Sequence, residues 1–192
     1  VTDYDTNIRA AFEAATPDDL AKGLRWYANA QREGRKVGPT LHRGVGVIAA
    51  LSPLQAWDVN IELANKLAAV HAEGKPMPTT GYGFKRNTAK AWAILNGAKP
   101  LDVLSGPKVR AFYRNMLGCS DSVTVDRWAV RIAIGDPDHS GTVPSGEYDA
   151  MADAFRRVAA EKGLTPRELQ AATWTWVRRV HARANRDPKH WQ

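Results

Sequence analysis

The chain has a single cysteine, Cys119, among 192 residues. No disulfide can form within it, and one copy cannot build a four-cysteine iron–sulfur cluster or zinc site. Long apolar runs are missing as well: stretches such as Val45 to Leu51 are far too short to cross a bilayer. The sequence does not open on a basic stretch followed by an apolar core, so no secretory signal is expected. The cysteine usage fits a reducing, cytoplasmic setting. There is no internal repeat, no persistent strand-like alternation and no glycine-rich phosphate loop. The five histidines (His42, His71, His139, His181 and His190) are scattered, so each reads as an ordinary surface histidine and no metal site is expected.

Positive charge is abundant. The net charge is +7 at pH 7 and the pI about 9.7, which points to a polyanionic partner, nucleic acid being the commonest. Placement sharpens this. From Val103 to Ser120 there are three bases, Lys108, Arg110 and Arg114, and no acid. From Arg178 onward come Arg178, Arg179, Arg183, Arg186 and Lys189 against Asp187 alone.

Hydrophobic residues make up 44% of the chain, and their spacing is helical almost throughout. A first helix is expected over Tyr4 to Ala15. Thr16-Pro17-Asp18-Asp19 supplies a cap, a first-position proline and two acids facing the dipole of a second helix. Gly34 to Thr40 reads as a break, Arg43 to Leu51 as a buried helix, and Ser52-Pro53 as the start of the next. Gly74 to Gly83 is the longest expected loop. Helices follow over Asn87 to Leu95, Lys108 to Leu117 and Val125 to Ile134. A second polar loop, Gly135 to Gly146, leads into an amphipathic helix marked by Tyr148, Met151, Phe155 and Val158. The capping box Thr165-Pro166-Arg167-Glu168 opens the last helix. The fold class is therefore all-α.

Three segments carry chemistry. The first is Leu51-Ser52-Pro53-Leu54-Gln55, leading to Trp57 and Asn60. The second is Leu104-Ser105-Gly106-Pro107-Lys108, a turn entering a basic helix. The third is Val123-Thr124-Val125-Asp126-Arg127-Trp128, with Arg131 one turn on. A glycine between two helices allows a backbone closed to other residues, and the next helix then offers N–H groups to an anion. An acid in a helix's first turn is ordinarily a cap or dipole partner.

Together, the order and spacing resemble the helix-hairpin-helix, Gly-Pro-Asp superfamily of DNA glycosylases, whose best-known member is endonuclease III. The likeness covers residues 43–135, with flanks 1–38 and 145–186 completing a two-lobed helical fold within one domain, 1–192. It implies that Gly106 is the hairpin glycine and that Ser105, Gly106, Pro107 and Lys108 grip a phosphate, helped by Arg110, Arg114 and Gln55. It implies Asp126 as the catalytic carboxylate. Leu54 or Gln55 would lie near the gap left by an extruded nucleotide, and Trp57, Tyr82 or Trp128 would face the base or fill the core. Two departures stand out. Pro107-Lys108 replaces the hairpin's usual second glycine, and Arg110 occupies the position of the lysine nucleophile of bifunctional members, so lyase activity is not expected. The iron–sulfur cysteines are absent.

The run Gly106-Pro107-Lys108-Val109-x-x-Phe112-Tyr113-x-Asn115, followed by Val123-Thr124-x-Asp126, is similar to a bacteriophage branch, the alpha-glutamyl/putrescinyl-thymine pyrophosphorylases. Three readings follow. The first is a monofunctional DNA N-glycosylase acting on a flipped-out base through Asp126. The second is a thymine-hypermodification transferase in which an amine displaces pyrophosphate, with Lys108 or Arg110 neutralising the leaving group. The third is a non-catalytic DNA-binding protein. The expected partner is double-stranded DNA, with no membrane and a monomeric chain. No organic cofactor is expected, although a hairpin of this type can hold a monovalent cation through its backbone carbonyls.

Overall fold

Apolar residues recur at three- and four-residue spacings over most of the chain, and each such stretch is helical in the computed structural model, which describes residues 2–185, with side chains as far as His181. Ten helices and no strand occur among the described residues: α1 (Tyr4–Ala14), α2 (Pro17–Val37), α3 (Leu41–Leu51), α4 (Trp57–Ala72), α5 (Lys85–Leu95), α6 (Pro100–Val103), α7 (Pro107–Leu117), α8 (Arg127–Ile134), α9 (Tyr148–Glu161) and α10 (Pro166–Asn185). No described helix is long and apolar enough to cross a membrane. Arg186, Lys189 and His190 lie outside the described residues, as does the Arg183 side chain.

The chain divides into two units. A terminal unit joins the sequence up to Tyr27 with the sequence from Gly118 onward, and a middle unit is the continuous stretch Ala28–Leu117. The terminal unit packs α1, α8, α9 and α10 around Ile8, Val125, Val130, Phe155 and Leu169, all sealed from solvent. Truncating Phe155 there would cost about 3–5 kcal/mol. Ion pairs on the rim, Arg157–Asp5, Arg9–Glu161 and Lys162–Glu13, tie α9 and the residue after it to α1. Being exposed, each contributes under about 1 kcal/mol.

The middle unit is built round α3, which is buried from Gly44 to Leu51 and has α4, α5, α6 and α7 against it. Small residues make this possible. A Cβ added to Gly44 would stand 1.7 Å from the Gly34 carbonyl oxygen, and one on Gly46 would meet the Pro100 ring at 2.8 Å. Gly34 is therefore a crossing point and not a breaker: α2 runs through it to Val37, where the sequence suggests a break at Gly34.

Two other boundaries differ from expectation. Ser52-Pro53 does not open a helix. Ser52 closes α3, its hydroxyl donating to the Ala49 carbonyl at 2.9 Å, and α4 begins only at Trp57. Val125, the expected start of the next helix, stays outside α8, which begins at Arg127; residues 123–125 are non-helical, with the Asp126 N–H turned back onto the Thr124 carbonyl at 2.8 Å.

Candidate functional site

Asp126 sits where that non-helical segment gives way to helix. It is the N-cap of α8, and its Oδ1 accepts the Trp128 and Ala129 N–H groups at 3.0 and 2.9 Å. The approach is clamped from two sides. The Gln170 amide on α10 accepts from the Thr124 N–H at 3.0 Å and donates to the Thr124 carbonyl at 2.6 Å. The Tyr148 hydroxyl donates to the Val123 carbonyl at 3.2 Å and accepts from the Val125 N–H at 3.3 Å. Backbone groups that a helix would satisfy internally are thus satisfied by side chains, which fixes the carboxylate at the start of α8.

The surroundings of Asp126 are cationic and aromatic. Burial pushes the Arg178 guanidinium below its usual range, and the charge of Asp126 draws it back up. Burial raises the Tyr148 phenol, the bond from the Val125 N–H opposes this, and Asp126 raises it further. The Arg178 guanidinium lies 4.5 Å from the Trp174 ring, and Trp174 meets Trp26 edge-on at 5.4 Å. The Trp128 ring has the Arg131 guanidinium at 4.8 Å and the edge of His181 at 5.0 Å. Arg131 also donates through Nε to the His139 carbonyl at 2.8 Å. Of these, Arg178, Gln170, Tyr148 and His181 lie 22 to 55 residues from Asp126; the sequence marks Arg178 as part of a basic run and Tyr148 as part of an amphipathic helix, but nothing in it places any of the four beside Asp126.

The middle unit holds the remaining sequence-predicted residues. Gly106 adopts φ +82, and an added Cβ there would meet nothing within 4 Å, so the glycine serves the backbone turn and not a close contact. Ser105, Gly106, Pro107 and Lys108 are exposed, Arg110 is half-buried, and Arg114 is exposed on α7. The Ser105 hydroxyl accepts from Lys90 on α5, which brings α5 to the hairpin. The Gln55 amide lies 3.2 Å from where a Gly83 Cβ would stand, and the Thr88 hydroxyl donates to the Tyr82 carbonyl at 3.1 Å. The Leu54–Gln55 turn, the Tyr82 loop, α5 and the hairpin are thus linked within one unit. Trp57, half-buried, begins α4. Asp126 and Trp128 belong to the terminal unit.

Two features of the middle unit are costly in isolation. Leu54 is 80% exposed and holds φ +62, the one non-glycine residue in that region among those described; Phe84 is 54% exposed. Lys85, Arg86, Lys90, Lys108, Arg110 and Arg114 form no ion pair among the described residues.

Two residues of the C-terminal basic run, Arg178 and Arg179, are engaged within the terminal unit. Arg179 makes a two-pronged pair with Asp19, at 2.9 and 2.7 Å, and Arg178 is stacked on Trp174. The histidines are engaged too: His42 with the Tyr113 hydroxyl at 2.9 Å, His71 with Asn96 at 3.1 Å, and His139 with the Gly141 N–H at 3.1 Å.

An all-α protein of two helical units, one bearing a clamped, capping aspartate and the other a basic hairpin, is what these observations define. The chain belongs to DUF7178, a family of unknown function, whose profile matches residues 1–181. No curated protein and no solved structure matches it.

Proposed function

We propose that the protein is a DNA-binding enzyme that acts on an extruded nucleobase, with N-glycosidic bond hydrolysis as the reaction. The observation that carries this reading is Leu54. Leaving a leucine in water forgoes about 1.5–3 kcal/mol of burial, and holding it at positive φ costs about 1–3 kcal/mol more. Insertion of that side chain into a base stack would recover the first term. Unpaired cations on α5 and α7 supply attraction to phosphate, and the Gly106 turn orients the hairpin for a backbone contact that reads no sequence. In this reading Asp126 stabilises the positive charge that develops on the sugar and orients the attacking water. Arg110, unable to form a Schiff base, is consistent with a monofunctional enzyme.

One observation favours the transferase alternative. Arg178 and Arg131 stand close to Asp126 and Trp128, and a cationic wall is suited to a departing pyrophosphate as well as to DNA. Product analysis separates the two: a free base marks hydrolysis, a retained and altered base marks transfer. The expected result with Asp126→Asn is loss of turnover, with DNA affinity within about threefold of the parent. Base release at the parental rate in that variant would overturn the role given to Asp126. DNA binding by a protein with neither product would leave a binding module on the same scaffold.

A further inference from the structure

The loop between α8 and α9 has a spacing that the helical reading does not use. Residues 136–147 read DPDHSGTVPSGE. Counting Asp136 as first, side-chain oxygens fall at positions 1, 3 and 5 (Asp136, Asp138, Ser140), glycine at 6 (Gly141), and glutamate at 12 (Glu147). A helix-flanked loop surrounds a calcium ion with this pattern, the seventh residue adding its carbonyl oxygen and the twelfth both carboxylate oxygens.

The framing fits. Incoming helix α8 ends at Ile134 and is capped by Gly135 at φ +76, and α9 begins at Tyr148, directly after Glu147. Gly141 holds φ +79, and a Cβ there would lie 2.1 Å from Arg127 Cγ, so the sixth position admits only glycine. Val143, in the eighth position, packs against the core of the terminal unit, as do Tyr148, Met151 and Phe155 on the outgoing helix. His139 turns its Nδ1 to the Gly141 N–H and so leaves the ligand set to oxygens.

The protein carries net charge +7, and Asp5, Asp18, Asp19 and Asp153 all pair with a cationic side chain. Asp136 and Asp138 are exposed two residues apart and form no ion pair among the described residues. Asp3, Asp58, Asp102, Asp121 and Asp149 also form no ion pair among the described residues, so the loop spacing, and not the missing partner, singles out Asp136 and Asp138. Glu147 is oriented from outside the loop: its Oε2 accepts from the Tyr4 hydroxyl on α1 at 3.1 Å, the kind of outer support that ligating carboxylates have.

We propose that residues 136–147 bind one calcium ion through Asp136, Asp138, Ser140, the Thr142 carbonyl and Glu147. This stands apart from the DNA-enzyme reading. Among the described residues no three acidic, histidine or cysteine side chains are gathered round one point, so the site is completed when side chains rotate and the loop closes on the ion. Closure braces the connection between α8, which Asp126 caps, and α9, whose Tyr148 holds residues 123–125.

The test is calorimetric titration of the chelator-treated, full-length protein with calcium chloride, alongside its melting temperature. Binding of one ion per chain and a saturable rise in melting temperature are expected. Asp138→Asn and Glu147→Gln should each weaken binding at least about tenfold. The Asp138 side chain is exposed, so metal-free Asp138→Asn should keep the parental melting temperature and circular dichroism. Three results would overturn the assignment: no heat and no melting shift up to about 10 mM calcium, well above the affinities such loops reach; undiminished affinity in both variants; or magnesium binding as tightly as calcium.

Discussion

Leu54 and Asp126 are opposite kinds of residue. Leu54 is held in a conformation its side chain disfavours, whereas Asp126 meets the local needs of its helix. At φ +62 glycine is at ease and leucine is not. Leu54→Gly should therefore leave stability unchanged or raise it by up to about 1 kcal/mol in urea denaturation, while DNA affinity and base extrusion fall. A parallel loss of stability would mean that Leu54 is needed for folding and is no wedge. Asp126 separates cap from chemistry through two substitutions. Asparagine can accept the same two N–H groups, so Asp126→Asn should cost little stability, whereas Asp126→Ala should cost about 1 kcal/mol; both should abolish turnover if the carboxylate is the working group. The motif around Asp126 was legible in the sequence as an acid entering an apolar helix. Its clamp was not, because Gln170 and Tyr148 reach it from other helices and no local pattern records such a meeting.

At the scale of elements, caps and crossings decide where helices begin and end. The box at the start of α10 is as its letters suggest: Glu168 accepts from the Thr165 N–H at 2.8 Å, and the Thr165 hydroxyl accepts from the Glu168 N–H at 3.2 Å. The start of α2 repeats it with Thr16 and Asp19, and the second acid does more than face a dipole. Asp19 is 1% exposed and also holds Arg179 of α10. The Arg179 guanidinium beside it, with Thr16, brings its carboxyl down to about 2 from 3.8. A carboxyl lowered in the folded state stabilises above its unfolded value and loses that contribution as pH falls through its folded one. About 2 kcal/mol should therefore disappear between roughly pH 4 and pH 2. In Asp19→Asn, denaturation followed across that window should be flatter by this amount; an unchanged slope would exclude the pair as its source. The α2–α3 crossing gives a steric test. Gly44→Ala forces Cβ into the Gly34 carbonyl, and a loss of about 3 kcal/mol or more is expected in thermal melts. Composition could not distinguish such a glycine from a breaker. Gly34 and Gly38 stand together in a polar stretch, which suggests an interruption, yet only the approach of α3 explains Gly34. Likewise Val125 reads as the first residue of an apolar helix, yet it stays outside α8, in a stretch whose backbone groups bond to Gln170 and Tyr148 of other helices.

For the molecule as a whole, helical periodicity made the all-α class legible, and net charge suggested a polyanionic partner. Of the basic tail, Arg178 and Arg179 are both engaged inside the terminal unit, and Arg186, Lys189 and the Arg183 side chain lie outside the described residues. The DNA-binding reading therefore rests on Lys108, Arg110 and Arg114 with Lys85, Arg86 and Lys90. Affinity for a DNA duplex should fall linearly with the logarithm of salt concentration, and Lys108→Ala or Arg114→Ala should each reduce that slope by about 1. A slope that neither variant changes would place the contact elsewhere.

The terminal unit takes its helices from both ends of the sequence, and this has a consequence during synthesis. Leu169 and Val177 complete its core from α10, so a growing chain cannot close that core until α10 has left the ribosome. The middle unit is one unbroken stretch and can fold while translation continues. The order of assembly is thereby fixed by connectivity, and the slower step, docking α1 against partners more than a hundred residues later, carries the larger loop-closure entropy.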